Sequence, residues 1–203
     1  MKIFVWITVQ IVIMLESALG QGRVSFNNGV PDLSPVTIST VSGMFNPSDG
    51  PPGAFVGSSY SVSLVFVNGT VTSQTAFDNL GPIWVADALF AGTTGNGADG
   101  AGFFDAGTPQ LRGQTDLYVT VQLRAWFNGN GAYTSYTQSL AAGHNVGISK
   151  LLPLYAPAPP GPAVTLDGLQ PFTVGIPEPS SASLILIAIV SLTIFRRLRK
   201  PIE

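Results

Sequence analysis

Strict alternation of apolar and polar side chains over residues 117–127 constrains the fold of this chain more than any other feature. The apolar set is Leu117, Val119, Val121, Leu123, Ala125 and Phe127. The intervening set is Tyr118, Thr120, Gln122, Arg124 and Trp126. A period of two residues places these sets on opposite faces of a β-strand. The segment therefore predicts a strand with one face toward the core and the other face outside.

Turn residues follow this strand and another one, and they predict two hairpins. Residues 128–131 (Asn-Gly-Asn-Gly) would reverse the chain into a return strand over 132–137. Asn68-Gly69 would connect a strand over 60–66 to a return beginning at 70–72. Asn and Gly tolerate positive φ, which tight turns require. Shorter candidate strands span 23–27, 36–41, 83–85, 146–150, 164–166 and 172–174.

The charge pattern limits the fold and the partners. Residues 21–176 contain no Glu, four basic residues and eight Asp, for a formal charge of −4. Scarcity of Glu and Lys argues against long helices, and scarcity of cations argues against nucleic-acid binding. The chain has no cysteine, which excludes disulfides and cysteine-based zinc or redox sites. We therefore expect an all-β protein, an antiparallel β-sandwich of jelly-roll or Ig-like type.

The first 20 residues are typical of a secretory signal peptide. Lys2 provides a positive start, and residues 3–15 form an apolar run. Ala18 and Gly20 then place small residues at the −3 and −1 positions before Gln21, as signal peptidase requires. The run is shorter than the ~20 residues of a spanning helix. An uncleaved N-terminal anchor is the alternative.

The C-terminal segment, residues 176–200, has three parts in a fixed order. It begins with a motif formed by Pro177, Glu178 and Pro179. Residues 182–195 follow as an uncharged apolar stretch, and the chain then carries Arg196, Arg197, Arg199 and Lys200. Basic clusters stay on the cytoplasmic side of a membrane. The apolar stretch predicts one transmembrane helix that is short for a full span of ~20 residues, and hence a weak permanent anchor.

This arrangement resembles the PEP-CTERM sorting signal of Gram-negative bacteria. The resemblance implies that an exosortase recognises Pro177, Glu178 and Pro179, and that the basic residues stop transfer through the membrane. It also implies membrane anchoring before processing, followed by a location at the cell surface or in the extracellular matrix, because such systems generally accompany exopolysaccharide production. An ordinary C-terminal transmembrane anchor is the alternative.

The region between the two signals divides into a β-rich ectodomain, residues 21–152 and 163–175, and a proline-rich segment, residues 153–162. The proline-rich segment has two interpretations, a polyproline II ligand and a stiff connection. We favour the stiff connection before the last pair of strands.

No catalytic or metal-binding pattern stands out in the ectodomain. His144 is the single histidine, and no Gly-x-Ser-x-Gly motif frames a nucleophile, so we expect a loop residue. The aspartates lie beside turn formers or strand ends. Residues 95–102 are rich in glycine but lack the ligand rhythm of a calcium loop. We therefore predict no cofactor, no metal and no catalysis. A secreted hydrolase that uses His144 or a pair of aspartates is the alternative.

Aromatic residues on and after the strand at 117–127 suggest a further alternative, a carbohydrate-binding surface module. The candidates for stacking on a matrix polysaccharide are Tyr118, Trp126, Tyr133 and Tyr136. Cross-strand packing within the sheet would explain the same residues without any ligand.

Overall fold

A computed structural model describes residues 21–29, 33–95, 99–157 and 160–177. The expected signal peptide with Ala18 and Gly20, the motif residues Glu178 and Pro179, the apolar stretch and the basic cluster lie outside these residues. Within the described ranges, every helix is too short or too polar to cross a bilayer.

Seven strands and two α-helices form the regular structure of the described residues. The strands are β1 (Val36–Ile38), β2 (Tyr60–Asn68), β3 (Ile83–Leu89), β4 (Tyr118–Phe127), β5 (Val146–Ile148), β6 (Leu152–Tyr155) and β7 (Phe172–Val174). The helices are α1 (Gln74–Asn79) and α2 (Tyr136–Ala141). Short 3-10 turns span Pro47–Asp49 and Gly129–Gly131. The prediction of a mostly β protein is confirmed.

Five strands form one antiparallel sheet in which β4 is central. The order is β3-β2-β4-β5. β6 also pairs with β4, along its first half, whereas β5 pairs with its second half. The longest ladder joins β2 to β4, from Tyr60 opposite Phe127 to Asn68 opposite Val119. β1 and β7 form a separate two-stranded parallel sheet. The antiparallel sheet expected from the alternating pattern is therefore present.

The inner face of the sheet forms one hydrophobic core with the segments opposite it. Four of the predicted inward residues, Val119, Val121, Leu123 and Ala125, are at most 1% exposed. The prediction was wrong for Leu117, which precedes β4 and is 51% exposed, and Phe127 is only partly buried. The four buried residues share a cluster with Val36 of β1 and Val174 of β7. The same cluster includes residues of irregular segments that pair through single bridges, such as Val24 with Val164. Tertiary contacts rather than long ladders thus build the layer opposite the sheet.

The outer face of β4 is covered over much of its length, contrary to expectation, although Tyr118 at its start is 52% exposed. Thr120 and Gln122 are fully buried and Trp126 is 2% exposed. Helix α1 lies over this face, where Phe77 packs on Val65 and Val67 of β2. The prediction of an outward face was wrong because a covering helix cannot be inferred from the period of the strand beneath it.

Both predicted hairpin returns were wrong, and each turn is followed by a short helix instead of a return strand. After Asn68-Gly69 the chain forms α1, and the partner of β2 is β3, longer than the predicted 83–85. After residues 128–131 it forms α2. Ser73 and Ser135 cap the two helices, accepting from the backbone N–H of Ala76 and Gln138. Helices of six residues are too short to show a clear helical period.

The proline-rich segment 153–162 begins inside the sheet rather than as a connection. β6 covers Leu152–Tyr155, and Pro153 lies opposite Thr120. Proline is tolerated here because β6 lies at the sheet edge, where one backbone donor is not needed. Of the short candidate strands, 172–174 is confirmed in full, 36–41 and 146–150 shorten to three residues, and 23–27 and 164–166 contribute only isolated bridges.

Candidate functional site

A groove of about 470 Å³ opens where β2 begins and where β3 and β4 end. Ser61 and Trp126 form its base, Asp87 and Leu89 of β3 line one side, and the loop after β4 lines the other. We call it the Trp126 groove. Its volume is within the range of ~300–1,000 Å³ in which proteins hold small molecules. The groove is therefore large enough for a ligand and is lined by both apolar and polar groups.

Asn128 fixes the loop side of the Trp126 groove. Its amide nitrogen donates to the Ser58 carbonyl at 3.1 Å and to Ser61 Oγ at 2.9 Å. Its side-chain oxygen accepts from the backbone N–H of Asn130 at 2.7 Å, and its carbonyl accepts from Tyr133 N–H at 2.9 Å. Asn128 is 4% exposed. The loop conformation is thus held by a buried amide and does not need a ligand to order it.

Asn130 has an unusual backbone conformation at the rim of this groove. Its φ of 56° makes it the one non-glycine residue with positive φ among those the structure describes. Glycine would adopt this conformation without a steric cost, and glycines stand on both sides of it. Asn is the side chain that tolerates it best. The sequence thus keeps an exposed amide at a position where glycine would be easier.

Asp87 and Trp84 form a second fixed group on β3. Asp87 Oδ1 accepts from Ser63 Oγ at 2.6 Å and from Trp84 Nε1 at 2.9 Å. Trp84 is nevertheless 60% exposed. The bond to Asp87 holds the edge of the indole and leaves much of its surface in water. Asp87 was expected in a turn and instead lies within a strand, pointing to the groove.

His144 is tied to a buried carboxylate behind the groove. It lies in the loop before β5, as expected, and its Nδ1 is 2.8 Å from Asp49 Oδ1. Asp49 is 4% exposed and also accepts from the backbone N–H of Asn145 at 2.7 Å. The imidazole packs on Tyr133 and Phe127, with ring centroids 4.5 and 5.0 Å apart. Asp49 thereby joins two loops that lie 95 residues apart in the sequence.

Tyr60 contacts this cluster through its buried hydroxyl group. Its hydroxyl donates to the Asp49 carbonyl at 3.2 Å and accepts from the Asn145 amide at 3.3 Å. Burial raises the pKa of the Tyr60 phenol well above its usual value, the Asn145 hydrogen bond lowers it in part, and the Asp49 charge raises it further. Within the described residues, no hydroxyl group is hydrogen-bonded to the His144 ring, so the pair lacks a bonded nucleophile.

The four aromatic residues predicted for stacking do not share one surface. Trp126 and Tyr133 both line the Trp126 groove, and Trp126 Nε1 donates to the Tyr133 carbonyl at 3.1 Å. Tyr118 is eight positions from Trp126 on the same strand, about 26 Å away at ~3.3 Å per residue. It packs against Tyr155, with ring centroids 5.3 Å apart. Tyr136 is half-buried on α2, and burial raises its pKa.

Sequence reasoning missed Asp87 and Asn130, which line the groove, and Trp84, which is bonded to Asp87 beside it. Trp84 and Asp87 belong to a strand recognised only over 83–85, so their common face was not apparent. Asn130 was interpreted as a turn former without regard to its side chain. The sequence signal for Trp84 and Asp87 was weak because a register shift interrupts the pairing of β2 with β3 between Leu64 and Val65.

Hydrogen bonds hold both ends of the described domain. Gly22 N–H donates to Gln114 Oε1 at 2.6 Å, and its carbonyl accepts from Leu111 N–H at 2.9 Å. At the other end, Ile176 N–H donates to the Met44 carbonyl at 2.8 Å. Pro177, the first residue of the predicted sorting motif, lines a second groove of about 310 Å³ beside Met44 and Tyr136. Gln21 immediately precedes the first of these bonds.

The described residues contain no group of three or more side chains suited to hold a metal ion. In the glycine-rich loop, Asp99 Oδ2 accepts from Thr93 N–H at 2.9 Å, and Asp105 Oδ1 accepts from Gly107 N–H at 2.9 Å. Both carboxylates thus stabilise local turns. The chain matches no protein-family model, no curated protein and no solved structure.

Proposed function

We propose that this chain is an exported, non-catalytic protein that an exosortase sorts to the cell surface or extracellular matrix of a Gram-negative bacterium. Signal peptidase would act before Gln21, and the exosortase at Pro177, Glu178 and Pro179. The basic cluster at 196–200 would hold the precursor in the membrane until then. The ectodomain would be a sandwich of jelly-roll or Ig-like type, with the layer of β1 and β7 facing the five-stranded sheet, and it would associate with matrix polysaccharide.

One observation carries the proposal. The hydrogen bonds of Gly22 and of Ile176 lie just inside the two expected processing sites. Cleavage before Gln21 and at the motif would therefore leave every strand of the described domain intact. A processing site has to lie outside the strands of the folded domain, and the expected sites before Gln21 and at Pro177 lie outside every strand of the described residues. The non-catalytic assignment is supported by His144, whose ring has no hydroxyl group hydrogen-bonded to it among the described residues and packs on Phe127 and Tyr133.

Mass spectrometry of the mature protein tests the proposal. The chain is expressed in a host that has an exosortase and in the same host without it. We expect residues 1–20 to be removed in both hosts, and the segment after the motif to be removed only where the exosortase is present. Replacing Glu178 by Ala should block the second step. A C-terminus that is intact in both hosts, or equal processing of E178A, would contradict the proposal.

A further inference from the structure

Trp84 presents an aromatic surface that is fixed in orientation. Its indole N–H is held by Asp87 at 2.9 Å, yet the residue is 60% exposed. Most exposed indoles have to give up rotational freedom when a ligand binds, and this one has already lost part of it. An ordered aromatic face is suited to stack on a flat apolar surface of a ligand.

Asp87 supplies a carboxylate oxygen next to this indole. Oδ1 is occupied by Ser63 and Trp84, whereas Oδ2 has no hydrogen bond within the part of the chain that the structure describes. The ion pairs in that part join Arg124 to Asp78 and His144 to Asp49, and neither includes Asp87. Asp87 therefore offers a strong acceptor, in a fixed position, to a ligand that carries hydrogen-bond donors.

The opposite rim of the Trp126 groove supplies the complementary groups. Asn130 places an exposed amide there, and the Thr134 hydroxyl lies on the same loop. The buried Asn128 holds this rim in place, as described above. The groove thus offers one carboxylate, one amide and hydroxyl groups on rigid supports, and Trp84 lies beside it, bonded to Asp87 of its wall. Its volume suits a short segment of a chain molecule rather than a folded partner.

This set of groups fits a ligand with apolar ring faces and many hydroxyls. A sugar ring stacks its C–H face on an indole and donates its hydroxyls to a carboxylate. A cationic peptide fits less well, because the groove holds a single carboxylate and Arg124 lies on the same face of the sheet, in register with Ser63 beside Asp87. We propose that the Trp126 groove and the adjacent Trp84 bind a neutral polysaccharide, with Asp87 of the groove wall accepting from sugar hydroxyls and Trp84, held beside the groove by Asp87, stacking on a sugar ring. The inference deepens the proposed function by naming the ligand class of the exported domain.

Affinity electrophoresis of the full chain tests this site. The protein is purified in a polyoxyethylene detergent, because a maltoside would itself present a sugar, and is run in gels containing α-glucan, β-glucan, mannan, galactan or xylan. We expect retardation in at least one gel. Trp84→Ala and Asp87→Asn should each weaken the apparent affinity about tenfold. Asn130→Gly, which keeps the backbone conformation and removes the amide, should weaken it severalfold.

Tyr118→Ala is the matched control, because Tyr118 is an exposed aromatic residue at the other end of β4, 52% exposed. Its retardation should equal that of the original chain. The variants replace exposed groups, and unchanged far-UV circular dichroism verifies their folding. Asp87→Asn retains an oxygen for Ser63 and Trp84.

Three outcomes would overturn the inference. The first is a lack of retardation in all five gels. The second is retardation that Trp84→Ala and Asp87→Asn leave unchanged, or that only Tyr118→Ala removes. The third is retardation confined to an additional gel that contains an oligolysine and lost there at high salt, which would identify a cationic partner. None of these results depends on processing by an exosortase, so failure of this inference and failure of the sorting proposal are separable.

Discussion

At the scale of single residues, buried polar side chains join parts of the chain that are far apart in sequence. Gln114 binds Gly22 and Ala156, Asn128 binds Ser58 and Ser61, and Asp49 binds His144. Each such group costs free energy if its partners are removed, because a buried donor or acceptor then lacks a hydrogen bond. These residues therefore hold the irregular loops in the positions that define the grooves.

Asn128→Ala tests this role at the Trp126 groove. The substitution removes the donor to Ser58 and Ser61 and the acceptor for Asn130, so we expect the free energy of unfolding to fall by about 2 kcal/mol. Urea denaturation followed by circular dichroism measures the change. Asn130→Gly is the control, with an expected change of less than about 0.5 kcal/mol. Equal stability of Asn128→Ala and the original chain would contradict the assigned role.

Tyr60 should make the free energy of unfolding decrease at alkaline pH. Because burial raises the pKa of Tyr60 in the folded state above its value of 10.0 in a model peptide, the folded chain keeps the phenol proton after the unfolded chain has lost it. This contribution is complete below pH 10 and is lost as pH rises beyond it. We expect a decrease of about 1.4 kcal/mol per pH unit.

Tyr60→Phe should remove the part of this decrease that Tyr60 causes. The substitution also loses two hydrogen bonds, and this loss lowers the free energy of unfolding by an amount that does not depend on pH. Urea denaturation at several pH values from 8 to 12 compares the slopes, which are independent of the constant difference between the two chains. Burial raises the pKa of Tyr136 as well, so a shallower decrease of the same sign should remain. Parallel curves for Tyr60→Phe and the original chain would exclude the predicted role of Tyr60.

At the scale of secondary-structure elements, long strands were predictable and short helices were not. β4 was predicted within one residue because ten positions of alternation leave little ambiguity, and β2 was recognised in the same way. Helices α1 and α2 depend on serine caps and on packing against the sheet rather than on a period of their own. The groups of the Trp126 groove were only partly predictable, since Trp126 and Tyr133 were recognised and Asp87, together with the adjacent Trp84, was not.

The break between β5 and β6 leads to a prediction at this scale. Between these strands Ser149 continues the pairing with β4, since its hydroxyl accepts from Leu123 N–H at 3.0 Å and its N–H donates to the Leu123 carbonyl at 2.9 Å. Ser149→Ala would leave the Leu123 N–H buried without an acceptor. We expect a loss of about 2 kcal/mol in the free energy of unfolding.

Thermal or urea denaturation measures this loss, and Ser42→Ala, at an exposed position, is the control. If the free energy of unfolding falls no more for Ser149→Ala than for Ser42→Ala, the Ser149 hydroxyl does not stabilise the pairing with β4 in solution.

At the scale of the whole molecule, β7 closes the fold shortly before the expected processing site. It pairs with β1, buries Val174 completely, and is followed by the pairing of Gly175 with Val146. We expect a chain of residues 21–177 to unfold cooperatively. A chain of residues 21–171 should lose more than about 4 kcal/mol, because β1 then lacks its partner and the core lacks Val174.

Urea denaturation of the two shortened chains measures the difference. The two chains differ only in residues 172–177, so a shift of this size would assign β7 to the fold of the domain. Similar stability of the two chains would place the end of the domain before β7.

The sequence by itself determined the β class and the position of the central strands, because both depend on local periods along the chain. The two terminal signals are predictions from the order of residue types. The tertiary structure decided what covers the sheet, which residues form the Trp126 groove, and which distant loops are joined. Burial of Trp126, exposure of Trp84 and the contact of His144 with Asp49 arise from packing between segments far apart in the sequence. Local sequence patterns do not encode these contacts, because the contacts depend on how distant segments pack against one another in the tertiary structure.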